Sequence, residues 1–196
     1  MQPSHAGRQT FAKEEFAALD WTGKTVHESC FTDCVFEGCR FPQATLAGCK
    51  FHDCTFKSCD LTTVKVPGSV FPRVTFLSSK VAGVMWWEAR AALFRVNFKE
   101  CLLNYSSFCG MDLAGASFVG CTAIDVDFQE ANLSGVSFDG TDLQQSKFLH
   151  TNLSHADFSK ARHYGIDPTV NILCKTAFSM PEAVALLDRF DIVWKA

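Results

Sequence analysis

Every fifth residue of this chain, from Phe11 to Trp86, is large and apolar. The series reads Phe11, Phe16, Trp21, Val26, Phe31, Phe36, Phe41, Leu46, Phe51, Phe56, Leu61, Val66, Phe71, Phe76, Val81 and Trp86. The phase then slips by two residues and resumes as Phe98, Leu103, Phe108, Leu113, Phe118, Ala123, Phe128, Leu133, Phe138, Leu143, Phe148, Leu153 and Phe158. A five-residue period fits neither a helix, at about 3.6 residues per turn, nor the two-residue alternation of a strand. It requires a short extended segment followed by a corner, repeated along the chain. We term each of these apolar residues a centre.

Two places before most centres the residue is small, as at Cys34, Cys39, Ala44, Cys49, Cys54, Cys59, Cys101, Ser106, Ala116, Cys121, Ala131, Thr141, Ser146 and Ala156. Residues two apart on an extended segment share a face, so the small residue and the centre both point inward. Ten of the twelve glycines fall two places after a centre, and Pro42, Pro67 and Pro72 fall one place after. Val66-Pro67-Gly68-Ser69 has the Pro-Gly pair of a type II turn, whose second central residue needs positive φ. One corner per five residues makes a polygon, and four sides close a square coil of twenty. The period of twenty is visible in Phe11, Phe31, Phe51 and Phe71, in Phe16, Phe36, Phe56 and Phe76, and in the polar series Asp112, Asn132 and Asn152. About seven coils at a strand spacing of about 4.8 Å predict a rod roughly 35 Å long.

The expected architecture is all-β: a right-handed quadrilateral β-helix over residues 11–162, broken at 83–97. Residues 1–10 are expected to be a flexible N-terminus, and 163–196 a C-terminal cap. In the cap, Ser179-Met180-Pro181-Glu182 reads as a capping box opening a helix at about 180–189. The break is either a register-resetting bulge or a partner-contacting loop, with a helix-favouring run at 88–94. If the chain there is extended, Trp86 and Trp87 cannot both face inward.

Several function classes are disfavoured. The register brings together no nucleophile, base and orienting acid, so no enzyme is expected. The cysteines are spaced for a packing slot rather than for zinc, and the glycines are corner glycines rather than a phosphate loop, so neither metal nor cofactor is expected. The first ten residues lack the basic start and apolar core of a signal peptide, and the greasiest stretch, 81–94, contains Glu88 and Arg90. A cytoplasmic protein with reduced thiols and no membrane association is the expectation. The formal net charge of -3 divides unevenly, with +2 over residues 1–97 and -4 over 98–162. Asp125, Asp127, Glu130 and Asp142 occupy outward positions on two adjoining sides.

Ala131-Asn132-Leu133-Ser134-Gly135 and Ala156-Asp157-Phe158-Ser159-Lys160 fit the pattern of small residue, Asp or Asn, Leu or Phe, then two variable residues. Over residues 11–162 the chain thus resembles the pentapeptide repeat family. The Gly83-Val84-Met85-Trp86 break and the Asp167-Pro168 pair are similar to its quinolone-resistance, albicidin-resistance and microcin-immunity members. The uninterrupted register from Phe11 to Trp86 leaves no room for the first projecting loop of the quinolone-resistance proteins, so the loop-poor toxin-resistance members are the nearer match. That resemblance implies a DNA mimic that binds DNA gyrase, and by extension topoisomerase IV, without itself binding nucleic acid, and protects the enzyme from an antibiotic or toxin. It places the partner contact on Asp125, Asp127, Glu130 and Asp142, with Trp87 and Arg90 in the break. It also implies a homodimer joined through Leu186, Leu187, Phe190, Val193 and Trp194. The competing reading is a structural or interaction scaffold with another partner.

Overall fold

In the computed structural model, which describes residues 8–190 and 192, the chain winds as a parallel β-solenoid of four-sided coils. The centres form four inward columns. The first face carries Phe11, Phe31, Phe51 and Phe71, then Leu113, Leu133 and Leu153, and the third carries Trp21, Phe41, Leu61, Val81, Leu103, Ala123 and Leu143. The fourth carries Val26, Leu46 and Val66, then Trp86, Phe108, Phe128 and Phe148. On the second face, Phe16, Phe36, Phe56, Phe76, Phe98, Phe118, Phe138, Phe158 and Phe178 stack ring on ring, at centroid spacings from 4.6 to 5.4 Å. Strand spacing sets this distance, because in-register parallel pairing puts each ring over the one a coil earlier.

The corner residue two places after a centre has positive φ at nearly every corner, Glu88 and Lys160 excepted, whether or not it is glycine: Gly68 has φ +66°, Asp53 +54° and Glu130 +59°. Corners close in two ways. In a closed corner the centre's carbonyl accepts the N–H three residues on, as in Ala44 to Phe41 at 2.8 Å and Ala156 to Leu153 at 3.0 Å. An Ala or Val suffices at the small position there. In an open corner that carbonyl accepts instead from the small residue of the next coil: the Cys39 thiol donates to Phe16 at 3.2 Å, Cys54 to Phe31 at 3.4 Å, and the Ser146 hydroxyl to Ala123 at 2.6 Å. The N–H left over is met from the next coil too, as where Cys59 N–H donates to Ser79 Oγ at 3.0 Å. The small column is therefore more than a packing slot. It satisfies backbone groups that burial would otherwise leave unpaired.

Across the break, pairing moves from an offset of twenty, Thr55 to Thr75, to one of twenty-two, Thr75 to Asn97. The expected helix-favouring run at 88–94 is replaced by two single 3₁₀ turns, Trp86–Glu88 and Ala91–Leu93. Trp86 is buried and Trp87 is 57% exposed, so the two tryptophans separate, although on a 3₁₀ turn rather than on the extended chain for which this was expected. The bulge absorbs the two extra residues on the first face, while Phe76 and Phe98 on the second still stack at 5.1 Å.

Both ends differ from expectation. Thr10 is already in the first strand, and the Gln9 carbonyl accepts the Cys30 N–H at 2.8 Å, so order begins before residue 11. The solenoid also runs past 162, with bridges from Asn152 to Ile172 and Asp157 to Ala177. His163 and Pro168 occupy centre positions in this coil, but Tyr164 and Ile166 are buried beside them, and Phe178 continues the second-face stack. The helix expected at about 180–189 is present as a 3₁₀ segment, Glu182–Phe190. Ser179 does not close the expected capping box: its hydroxyl donates to the Ser159 carbonyl of the coil below.

Candidate partner-binding surface

Surface charge follows the same ladder as the core. On the third face the residues just before the centres are Asp20, Arg40, Asp60 and Lys80, each bridged to the next, so opposite charges alternate along the rod. Elsewhere a cation commonly meets an acid about one coil away. Arg73 makes a two-pronged contact with Asp53 at 2.5 and 2.6 Å, and Lys57 meets Glu37 at 2.7 Å.

The expected partner-binding residues mostly gather on the fourth face and its corners. Met85, Ser107, Asp127 and Lys147 bridge one another along it, and Trp87 follows the buried Trp86 of the same column. Asp125 and Glu130 are the corner residues on either side, both with positive φ. Asp142 sits on the neighbouring third face, bridged to Thr122 and Arg162, and exposed Arg90 lies just past the corner, its N–H donating to the Ser69 carbonyl at 2.9 Å.

These acids are not equivalent. Asp125 meets Lys147 at 3.7 Å, and Asp142 lies 2.9 Å from the Nδ1 of His163. Burial pushes the Asp142 carboxyl up, but the contact with His163 and the Gln144 N–H outweigh it, leaving the group below its ordinary value. Asp127 also has a structural task. Its Oδ1 accepts the Gln129 N–H at 3.0 Å, the same cap that Asp20, Asp112, Asn132, Asn152 and Asp157 give their corners. No cation lies within ion-pair distance of Asp127 or Glu130 among the described residues. Their field reaches the Cys109 thiol, whose pKa is raised first by burial and then by these two carboxylates. The uncompensated negative charge of this face is thus centred on Asp127 and Glu130.

At the C-terminal end Leu186 packs against the solenoid's own core, acting as a lid on the last coil. Leu187 is half-buried, and Phe190 and Ile192 are about half exposed. Val193 and Trp194, expected at a dimer interface, lie outside the described residues.

Seven cysteines of the small column, Cys34, Cys39, Cys49, Cys54, Cys59, Cys101 and Cys121, are buried free thiols. Burial raises Cys49 to about 11 and Cys54 to about 12, which keeps both protonated and able to donate. No group of three or more potential metal ligands occurs among the described residues. No helix among them is long and apolar enough to cross a membrane.

A family model described as a pentapeptide repeat region matches residues 29–108 and 91–166. No curated protein matches the chain in sequence. Among solved structures, a trypsin-treated variant of QnrB1, a plasmid-mediated fluoroquinolone resistance protein, superposes with a TM-score of 0.66 at 18% identity, covering 96% of this chain and 100% of that one. HetL, a pentapeptide repeat protein involved in heterocyst differentiation regulation from the cyanobacterium Nostoc sp. strain PCC 7120, superposes with a TM-score of 0.72 at 14% identity, covering 87% and 86%. At these identities the likeness is one of fold.

Proposed function

The chain belongs to the pentapeptide repeat family, and from that footing we propose that it is a non-catalytic rod that imitates duplex DNA, occupies the DNA-binding saddle of DNA gyrase and protects the enzyme from an inhibitor. The observation that carries this reading is the uncompensated pair of Asp127, on the fourth face, and Glu130, at its corner. A surface that grips DNA is basic and reads phosphates mainly through charge, so an acidic rod competes for it. The nine-ring column implies a rod of about 38 Å at strand spacing, the length of roughly eleven base pairs. A fold shared with a fluoroquinolone resistance protein is consistent with the reading. Topoisomerase IV presents the same kind of saddle and is a second target. Exposed Phe190 and Ile192 at the C-terminal end support a homodimer of two rods, to be checked by light scattering at micromolar concentration.

The deciding experiment is gyrase supercoiling with and without a poison, titrated with the wild-type protein and with Asp127→Asn/Glu130→Gln. Asn keeps the corner cap while losing the charge, so the double variant should fold normally and protect less, and protection should weaken as salt rises. Wild-type protein that alters neither supercoiling nor poisoning would sink the gyrase reading. The competing scaffold reading draws on the pairing of Asp125 and Asp139 with Lys147 and Lys160, which breaks the acidic half into paired and unpaired acids rather than one continuous negative strip. Recovery of a partner other than gyrase in a pulldown would favour it.

A further inference from the structure

Near the corner between the fourth and first faces, in the N-terminal half, a cleft of about 270 Å³ opens beside Gly48 and Gly68. Three exposed cations line it: Arg8, which precedes the first strand, Lys50 of the first face, and Arg90 from the break. Among the described residues the only acid in its lining is Glu28. A side chain at Gly68 would meet nothing within 4 Å, and one at Gly48 would meet only Glu28 Cγ, so the two glycines leave this wall of the cleft open.

What sets these cations apart is that they share one concavity, since Lys13, Lys65 and Lys99 also have no ion pair among the described residues. Arg73, Lys57, Arg95, Lys147 and Lys160 each have a carboxylate within 4.0 Å, and Arg40 and Lys80 alternate with Asp20 and Asp60. Arg8, Lys50 and Arg90 have no ion pair among the described residues, although they share one concavity. A cleft lined by one sign of charge concentrates counter-ions of the other. Two guanidiniums and an ammonium, set against one carboxylate, match a compact ligand carrying two or three negative charges. Guanidinium groups in particular fit the paired oxygens of phosphate.

We propose that this cleft is a binding site for a small phosphate-bearing polyanion, a diphosphate or the diphosphate group of a nucleotide. The site does not rest on the acid pair that carries the gyrase reading: it lies in the N-terminal half, none of Arg8, Lys50 and Glu28 belongs to the acidic face, and Arg90 is the one residue it shares with the expected gyrase contact. Arg90, brought in by the two-residue phase slip, completes it.

The test is isothermal titration calorimetry of the full chain with sodium diphosphate and, separately, adenosine diphosphate, at fixed ionic strength. Wild-type protein should show one saturable site. Lys50→Gln/Arg90→Gln should weaken binding at least tenfold, Glu28→Gln should tighten it severalfold, and Lys99→Gln, on the second face, should leave it unchanged. All of these positions are exposed, and circular dichroism checks that each variant keeps the wild-type fold. Tighter binding of the nucleotide would extend the site to a nucleoside, and equal binding would confine it to the phosphates. No saturable heat with either probe, or equal affinity in the double variant, overturns the proposal.

Discussion

The coils before the break and those after it obey one five-residue rule but fill and fasten their interiors differently. Before it, aromatic rings fill three columns: Phe11 to Phe71 on the first face, Phe16 to Phe76 on the second, and Trp21 and Phe41 on the third. After it, rings occupy the second and fourth faces, while the first and third carry Leu113, Leu133, Leu103, Ala123 and Leu143. Their fastenings differ in parallel. Open corners predominate in the first half, held by Cys39, Cys49, Cys54 and Cys59 with Phe41 closed among them, and closed corners in the second, at Ala116, Ala131, Val136 and Ala156 with Ala123 open among them. A square solenoid thus has two interchangeable ways to satisfy a corner carbonyl. Neighbouring coils need only agree on which one is in use, since the donor and the acceptor lie on successive coils.

The most disruptive way to break this comparison is a charge in a column. Phe128→Asp, on the aromatic column found only after the break, should abolish folding, because it buries a carboxylate with no polar partner. A cooperative urea transition in that variant would contradict the account. Next comes the corner itself. Cys54→Ala should cost about 1–2 kcal/mol by leaving the Phe31 carbonyl without its donor, while Cys54→Ser should lose much less, as Ser79 already serves Phe56 in this way. Equal urea midpoints for the two variants would reduce the cysteine column to a space-filler. The same burial predicts that thiol reagent counts many more cysteines in denatured protein than in native protein.

A smaller effect concerns acid. The hydrogen bonds from Arg73 hold the Asp53 carboxyl below its ordinary value of 3.8. Such a group contributes stability above its unfolded pKa and loses it as pH falls through the lower, folded one. Arg73→Gln should therefore melt slightly earlier than wild type at pH 7 and at the same temperature near pH 2. A persistent gap at low pH would assign the loss to packing. The smallest effect is expected at the break, where Trp87→Ala should remove red-shifted, solvent-exposed fluorescence and change stability by less than about 0.5 kcal/mol.

The centres, the coil length and the phase slip were legible because each is a statement about residue size at a fixed spacing. Polar tasks were harder to see. Cys39 and Phe16 are twenty-three residues apart, and their bond depends on whether the Phe16 corner closes, which side-chain volume does not report. Asp127 drew notice for its charge, yet the family pattern's Asp or Asn before the centre is also a corner cap, and that preference was the available signal. The last coil went unread because His163 and Pro168 stand where apolar centres belong. Leu173 and Phe178 keep the phase beyond them and could have marked it.

In the vocabulary of crystals, the break is a dislocation. Two residues of extra material enter on one side of the tube, and the adjoining lattice row, the second-face rings, passes the defect without losing a member. Such a rod can lengthen by tandem duplication of twenty-residue blocks and survive an imperfect copy, provided the error falls away from that row. An insertion landing on the second face has no such refuge, so its rings mark where the length of this chain is least free to drift.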